Sequence, residues 1–169
     1  MTTRHIGPQD GRSTLNDFVI FKLAGAETEQ RLAIVEHILA PKQLAAPMHT
    51  HQHEDEYSYV LEGEMSALIG GVLVRAGPGS LVVKPRRVPH TFWNQGSQPL
   101  RILELISPAG FEVYFDELAA LVKASRGAPD LAALLALSTR YGMAMDVDSV
   151  TELVETYGVT LPDLSDWSD

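Results

Sequence analysis

PMHTHQHEDEYSYVLEG, residues 47 to 63, is the stretch on which the fold turns. His49 and His51 stand two apart, so on an extended segment both imidazoles leave from one face. Glu56 follows after a short turn, at the start of the next strand-like run. Two neutral nitrogens and an anionic oxygen suit a divalent first-row metal when no sulfur is offered, and the chain has no cysteine. That absence also removes disulfide scaffolds, thiolate zinc sites, iron–sulfur clusters and cysteine nucleophiles. Downstream, PRRVPHTFWN, residues 85 to 94, presents His90 at the start of another strand. The two motifs are far apart in sequence and must meet inside the fold to act together.

The text on either side is β-rich. Phe18 to Leu23 and Arg31 to Leu39 read as strands, the second with Leu32, Ile34, Glu36 and Ile38 on one face and Ala33, Val35, His37 and Leu39 on the other. Short runs separated at Glu62-Gly63, Gly70-Gly71 and Gly77-Pro78-Gly79 follow, at spacings typical of an antiparallel sandwich or barrel. Strand text resumes at Thr91 to Asn94 and Leu100 to Ile106. After Ser107-Pro108 the period lengthens to that of a helix. Ser107 reads as its N-cap, with Phe111, Phe115, Leu118 and Val122 on one face until Gly127. A second helix fits Pro129 to Tyr141, burying Leu131, Leu134, Leu135 and Leu137, and a third runs from Asp148 or Ser149 to Tyr157, closed by Gly158. Strands grouped before helices predict a mainly β body with a helical appendage: 1–16 a loosely held arm, 17–107 the β body, 108–169 a helical extension.

The 169 residues suit one domain, and 45% hydrophobic with 21% charged is ordinary for a globular chain, so disordered and low-complexity readings are excluded. The net charge of −9 is uneven: residues 145 to 169 hold seven acids and no Lys or Arg, leaving the remainder nearly neutral. Such a chain, with no basic cluster of any size, is repelled by phosphate backbones and anionic lipid, so nucleic-acid and membrane partners are not expected. No apolar run reaches transmembrane length and the first residues lack a signal-peptide core, so a cytoplasmic location is expected.

HTHQHEDEYSYVLEG matches the first motif of the cupin family, HxH, four residues, Glu, six residues, Gly, through His49, His51, Glu56 and Gly63. GSLVVKPRRVPHTFWN matches the second through Gly79, Pro85, His90 and Asn94. The match covers roughly residues 31 to 107 and resembles single-domain bacterial cupins of the quercetin dioxygenase-like kind. It departs at two turn glycines, where this chain has Gln43 and Arg87. The resemblance implies a double-stranded β-helix, the cupin jelly-roll barrel, with about three helices appended. It implies one divalent transition metal per chain (Fe, Mn, Ni, Co, Cu or Zn) held by His49, His51, Glu56 and His90, and a homodimer. It also implies an oxidoreductase of dioxygenase type acting on a small phenolic or enolisable molecule, with isomerase or cyclase chemistry, or non-catalytic small-molecule binding, as the alternatives. Open metal positions would receive a substrate enolate or phenolate as an anion.

Glu56 is expected to serve as ligand and as proton acceptor, since no other carboxylate is placed by spacing in the pocket. His37 and Phe92 are candidate pocket residues. His37 reads equally as a core histidine, and Phe92, Tyr59 and Trp93 as core aromatics. His53 reads as a solvated turn residue, Glu54 and Asp55 as exposed, and Lys84, Arg86 and Arg87 as a solvated basic trio.

Overall fold

The structure is a computed structural model and describes residues 3–125 and 129–162. The strands are β1 (Arg12–Thr14), β2 (Val19–Leu23), β3 (Ala33–Leu39), β4 (Met48–His51), β5 (Asp55–Glu62), β6 (Met65–Ile69), β7 (Val72–Ala76), β8 (Leu81–Lys84), β9 (His90–Asn94), β10 (Leu100–Ser107) and β11 (Met143–Asp146). The helices are α1 (Val113–Ser125), α2 (Leu131–Arg140) and α3 (Ser149–Tyr157). A six-stranded sheet runs β1-β2-β3-β10-β5-β8 and a five-stranded sheet runs β11-β4-β9-β6-β7, with every ladder antiparallel. The sheets are separate in their hydrogen bonding and pack through one core, in which Val35, Leu39, Val60 and Ile102 of the first meet Met65, Ala67 and Phe92 of the second.

Alternation decides which side chains enter that core. β10 buries Leu100, Ile102, Glu104 and Ile106, and β5 buries Glu56, Ser58 and Val60. A polar residue at an inward position is therefore carried into the interior by its apolar neighbours, whatever its own preference. The turn after β5 requires Gly63: its φ is 84°, and a Cβ there would stand 2.6 Å from the Pro99 carbonyl oxygen. At the turn where the second motif ordinarily has glycine, Arg87 itself takes φ 64°.

Several expectations are corrected. Residues 12–14 are not loose: β1 pairs with β2 across a turn of Leu15, Asn16 and Asp17, all at positive φ (53°, 51°, 62°), with no glycine to announce it. Lys22 Nζ also donates to the Pro8 and Asp10 carbonyls, at 2.9 and 2.6 Å. The C-terminal segment is not purely helical, because β11 pairs with β4 and widens the five-stranded sheet. Ser107 caps no helix. It stays paired with Asp55 as the last residue of β10, and α1 starts only at Val113. Within α2, Leu137 is buried and Leu134 partly so, whereas Leu131 is half exposed at the cavity rim. Asp130 caps that helix by accepting from the Ala133 N–H, and Gly158 (φ 63°) closes α3. Gly127, expected to end the first helix, lies outside the described residues.

α3 covers the outer face of the five-stranded sheet, where Trp93, Leu44, Leu153 and Val159 form a second apolar cluster and the Tyr157 ring packs, tilted by 32°, 4.5 Å from that of Trp93. Trp93 is thus packed within its own chain, while Tyr59 is 39% exposed. Among the described residues no helix is long and apolar enough to cross a membrane.

Candidate metal centre

Strand register brings the two motifs together. β4 lies against β9 with His49 directly opposite His90, which sets their rings 4.5 Å apart. His51, two residues along β4, presents its ring to the same space, stacked 5.6 Å from His90. Glu56 arrives from β5 of the facing sheet, with Oε1 3.5 Å from His51 Nε2 and Oε2 3.2 Å from His90 Nε2. One ligand atom from each of the four residues lies within 4.8 Å of all the others, and all four residues are buried.

The histidines are prepared as donors. His49 Nδ1 is 2.9 Å from the Pro47 carbonyl and His90 Nδ1 is 3.0 Å from the Val88 carbonyl. A carbonyl only accepts, so each Nδ1 carries the hydrogen; the His49 Nε2 then keeps its lone pair, and the His90 Nε2 is turned to Glu56 Oε2. His51 has neither ring nitrogen hydrogen-bonded, though both are buried; Glu54 Oε2, also unpartnered, stands 3.7 Å from its Nδ1. Burial is the main reason the His49 and His51 imidazoles are pushed below the usual histidine range, His51 to about 4, so both are neutral. Neutral, oriented imidazoles beside a carboxylate are the donor set a divalent transition metal requires, and coordination would satisfy the orphaned His51 nitrogen.

The sequence reading missed a buried lysine. Lys84 on β8 is directly opposite Glu56 and is 1% exposed, so the expectation of a solvated trio fails for it. Its ammonium is 3.0 Å from Glu56 Oε2 and 2.7 Å from Glu104 Oε2, and lies 4.5 Å from the Phe92 ring centroid. Ser58, on the strand between, donates to the same Glu104 oxygen at 2.8 Å and is small enough for the lysine to reach past it. Burial alone would raise the Glu56 carboxyl; Lys84 and the neighbouring histidines overcome it and hold Glu56 well below the usual carboxylate range. Burial raises Glu104 to about 7 against the attraction of Lys84. Glu104 is thus a second carboxylate lining the cavity, contrary to expectation. Its signal was present: Glu104 shares the inward face of β10 with Ile102 and Ile106, as Lys84 shares that of β8 with Val82.

Other assignments divide. Glu54, expected in solvent, is buried, while Asp55 is partly exposed and holds Arg86 at 2.7 Å; Arg87 and His53 are exposed. Glu36 is turned away from the centre, as its alternation with His37 predicts, and pairs with Lys22 and Arg101 at 3.0 and 2.7 Å. His37 and Phe92 both line a cavity of about 570 Å³ that opens from the metal-ligand cluster. Its walls are apolar, with Phe18, Phe111, Tyr114 and Phe115 from one side and Met143 and Met145 of β11 from the other. β11 brings those methionines in because Met143 pairs with His51 and Met145 with His49.

Purified without chelator, the protein should carry close to one divalent ion per chain, and His49→Ala, His51→Ala or His90→Ala should each lower that occupancy in elemental analysis. A metal-free wild type with an intact fold would contradict this. A second expectation concerns His37, which burial, with the Lys84 charge, pushes to about 4 from 6.5. Its contribution to stability is complete above pH 6.5 and lost as pH falls through about 4, on the order of 3 kcal/mol. Glu104, raised from 4.5 to about 7, has the opposite sign, its contribution being lost as pH rises through 7. Denaturant titrations of wild type and His37→Phe from pH 7.5 to 4.5 isolate the first effect: the variant should lose less stability in acid.

Comparison with known proteins gives the fold an independent footing. Residues 35–106 match the family model described as the cupin domain. No curated protein matches the chain. Among solved structures, KdgF from Halomonas sp. superposes with a TM-score of 0.55 at 17% identity over 66% of this chain and 99% of that one. The polyketide cyclase RemF from Streptomyces resistomycificus gives 0.53 at 23% identity over 63% and 80%. A predicted oxalate decarboxylase from Thermotoga maritima gives 0.51 at 22% over 53% and 78%. The matched segment spans Val35 to Ile106 and so contains every residue of the three-histidine, one-glutamate cluster: this part of the chain is similar to the cupin domain, as the resemblance of its two motifs implies.

Proposed function

We propose that the protein is a metal-dependent cupin enzyme, folded as the family's double-stranded β-helix, that performs dioxygenase-type chemistry on a small phenolic or enolisable molecule. The observation that carries this reading is the His49, His51, Glu56 and His90 cluster set at one end of a large, aromatic-walled cavity. Such a cavity accepts a planar apolar body, while the donor set offers one strongly polar point to which its oxygen is drawn. A divalent ion bound there would supply Lewis acidity and stabilise the substrate as its enolate or phenolate. The aromatic rings of Phe111, Tyr114 and Phe115 exclude water from that end, and His49 and His51, whose proton affinity burial lowers, compete poorly for the substrate's proton. Glu56 is both ligand and acceptor of that proton; the Lys84 contact lowers its basicity, which leaves Glu104 as the rival acceptor.

The reaction class rests on this site and not on the fold, since the structural neighbours include a cyclase and a predicted decarboxylase. Isomerase or cyclase chemistry is the second reading, favoured by Glu104, whose raised pKa suits proton shuttling near neutrality. Non-catalytic binding is the third. Oxygen uptake with a panel of flavonols and diketones separates the first reading from the others. On a substrate that is turned over, Glu56→Gln should lower turnover roughly 100-fold or more with a modest loss of metal. A Glu56→Gln variant as active as wild type, beside an inactive Glu104→Gln, would move the proton to Glu104.

The assembly belongs to the same proposal. Tyr59, Leu81 and Val83 project from the outer face of the six-stranded sheet at its β8 edge, and Val72 and Leu73 are exposed on the neighbouring β7 edge. Edge strands carrying apolar side chains invite pairing, and a two-fold copy of the chain buries them. Sedimentation at micromolar concentration should show a homodimer, and Val83→Lys should shift it toward monomer. A wild type that sediments only as monomer would remove this.

A further inference from the structure

Away from the four ligand residues, two residues that line the same cavity each keep one buried polar atom without a partner. One is His37 Nδ1 and the other is Glu104 Oε1. His37 is 5% exposed and Glu104 1%. On the ladder between β3 and β10, His37 is opposite Ile102 and Val35 is opposite Glu104. The two polar residues are therefore diagonal neighbours on one inward face, about 7–8 Å apart at the backbone and within mutual reach of one small ligand group.

The His37 ring is fixed in place and in tautomer. Phe18, Phe115 and Phe92 surround it with ring centroids at 5.3, 5.4 and 5.9 Å. The Phe18 backbone acts on the ring as an acceptor, raising its proton affinity, and with Nδ1 unpartnered the nitrogen it acts on is Nε2. Nε2 then holds the hydrogen, and Nδ1 is a lone-pair acceptor among apolar rings at the cavity wall. Leaving such an acceptor unmatched is costly in an interior. A hydrocarbon, ketone or ether cannot satisfy it, because none donates. An ammonium group would also donate, but it brings several N–H groups to satisfy and a full charge to desolvate among the aromatic walls around His37. A neutral hydroxyl is the group that remains. Glu104 Oε1 can take a share in the same contact, since Ser58 and Lys84 occupy only its Oε2.

We propose that His37, with Glu104 beside it, forms a hydroxyl-recognition subsite that selects aromatic ligands carrying a second hydroxyl group apart from the one drawn to the metal centre. This rests on the reading of the site as one for phenolic molecules, and makes His37 a specificity-determining residue within it. It separates polyhydroxylated aromatics from mono-hydroxylated ones of equal size.

The test uses metal-loaded protein at pH 7.5 under anaerobic conditions, with 3-hydroxyflavone and a set of dihydroxyflavones that add one hydroxyl at different ring positions. Wild type should bind at least one dihydroxyflavone about tenfold more tightly than 3-hydroxyflavone. His37→Phe should abolish that preference, with the dihydroxyflavone losing about tenfold more affinity than 3-hydroxyflavone does, while the metal content stays unchanged. His37→Asn, which can place an amide oxygen near the position of Nδ1, should retain most of it. Independently of any variant, the ¹⁵N resonance of His37 Nδ1 in wild type should shift on binding the preferred dihydroxyflavone and not on binding 3-hydroxyflavone. A wild type that binds flavonols without regard to a second hydroxyl, or a His37→Phe protein that keeps the preference, overturns the subsite alone. A wild type that binds none of them overturns the phenolic reading and the subsite with it.

Discussion

An ammonium group buried inside a β-sheet is tolerated only where carboxylates meet it, and Lys84 is met by two. Much of the interior follows from that requirement. Glu56 must stand opposite Lys84 on the neighbouring strand, which aims its carboxylate at the histidines. Ser58 must be small, so that the lysine can cross to Glu104, and its hydroxyl then supplies a second donor to the same oxygen. Phe92 completes the enclosure by turning its ring face toward the charge. Removing Lys84 would leave the Glu56 and Glu104 carboxylates without a cation in a dry interior, so the lysine holds the Glu56 carboxylate's orientation more firmly than packing alone would.

The two sheets divide the chemistry between them. The six-stranded sheet contributes the charged groups, Glu56, Lys84 and Glu104, together with His37, and the five-stranded sheet contributes the three histidines of the candidate metal cluster. The segment after β10 supplies the walls: Phe111 meets the His51 ring edge-on at 4.2 Å, Tyr114 and Phe115 follow on α1, and β11 adds two methionines. Opposite environments push the two carboxylates of the cavity apart in proton affinity, Glu56 down and Glu104 up, an arrangement suited to chemistry that needs one anion and one proton carrier at neutral pH.

The histidine pair and the β-rich body were legible in the amino-acid sequence because both are written in short-range spacing, while the grouping of His90 with His49, His51 and Glu56 came from the resemblance of the two motifs. Two histidines two apart share a face on any strand, and glycines and prolines mark turns wherever they fall. The order of strands before helices, the alternation along residues 33 to 39 and the limits of the last helix needed no more than local pattern. Where local pattern was absent or ambiguous, the reading failed. The turn at Leu15, Asn16 and Asp17 has no glycine, and β11 is four residues between two helices.

Only the tertiary structure decided what Lys84, Glu104, Glu54 and Trp93 do. A charged residue at an inward position conflicts with its own preference for water, and sequence cannot say which prevails, because the answer depends on partners supplied by other strands. Lys84 goes inward because register sets Glu56 opposite it and Ser58 leaves a path to Glu104. Trp93 is buried because α3, more than fifty residues later, lies over it. The sequence determined which donors were available for a metal and on which strands they stand. Cross-strand register, a property of pairs of distant segments, decided that they converge, what charges surround them and how large and apolar a space they face.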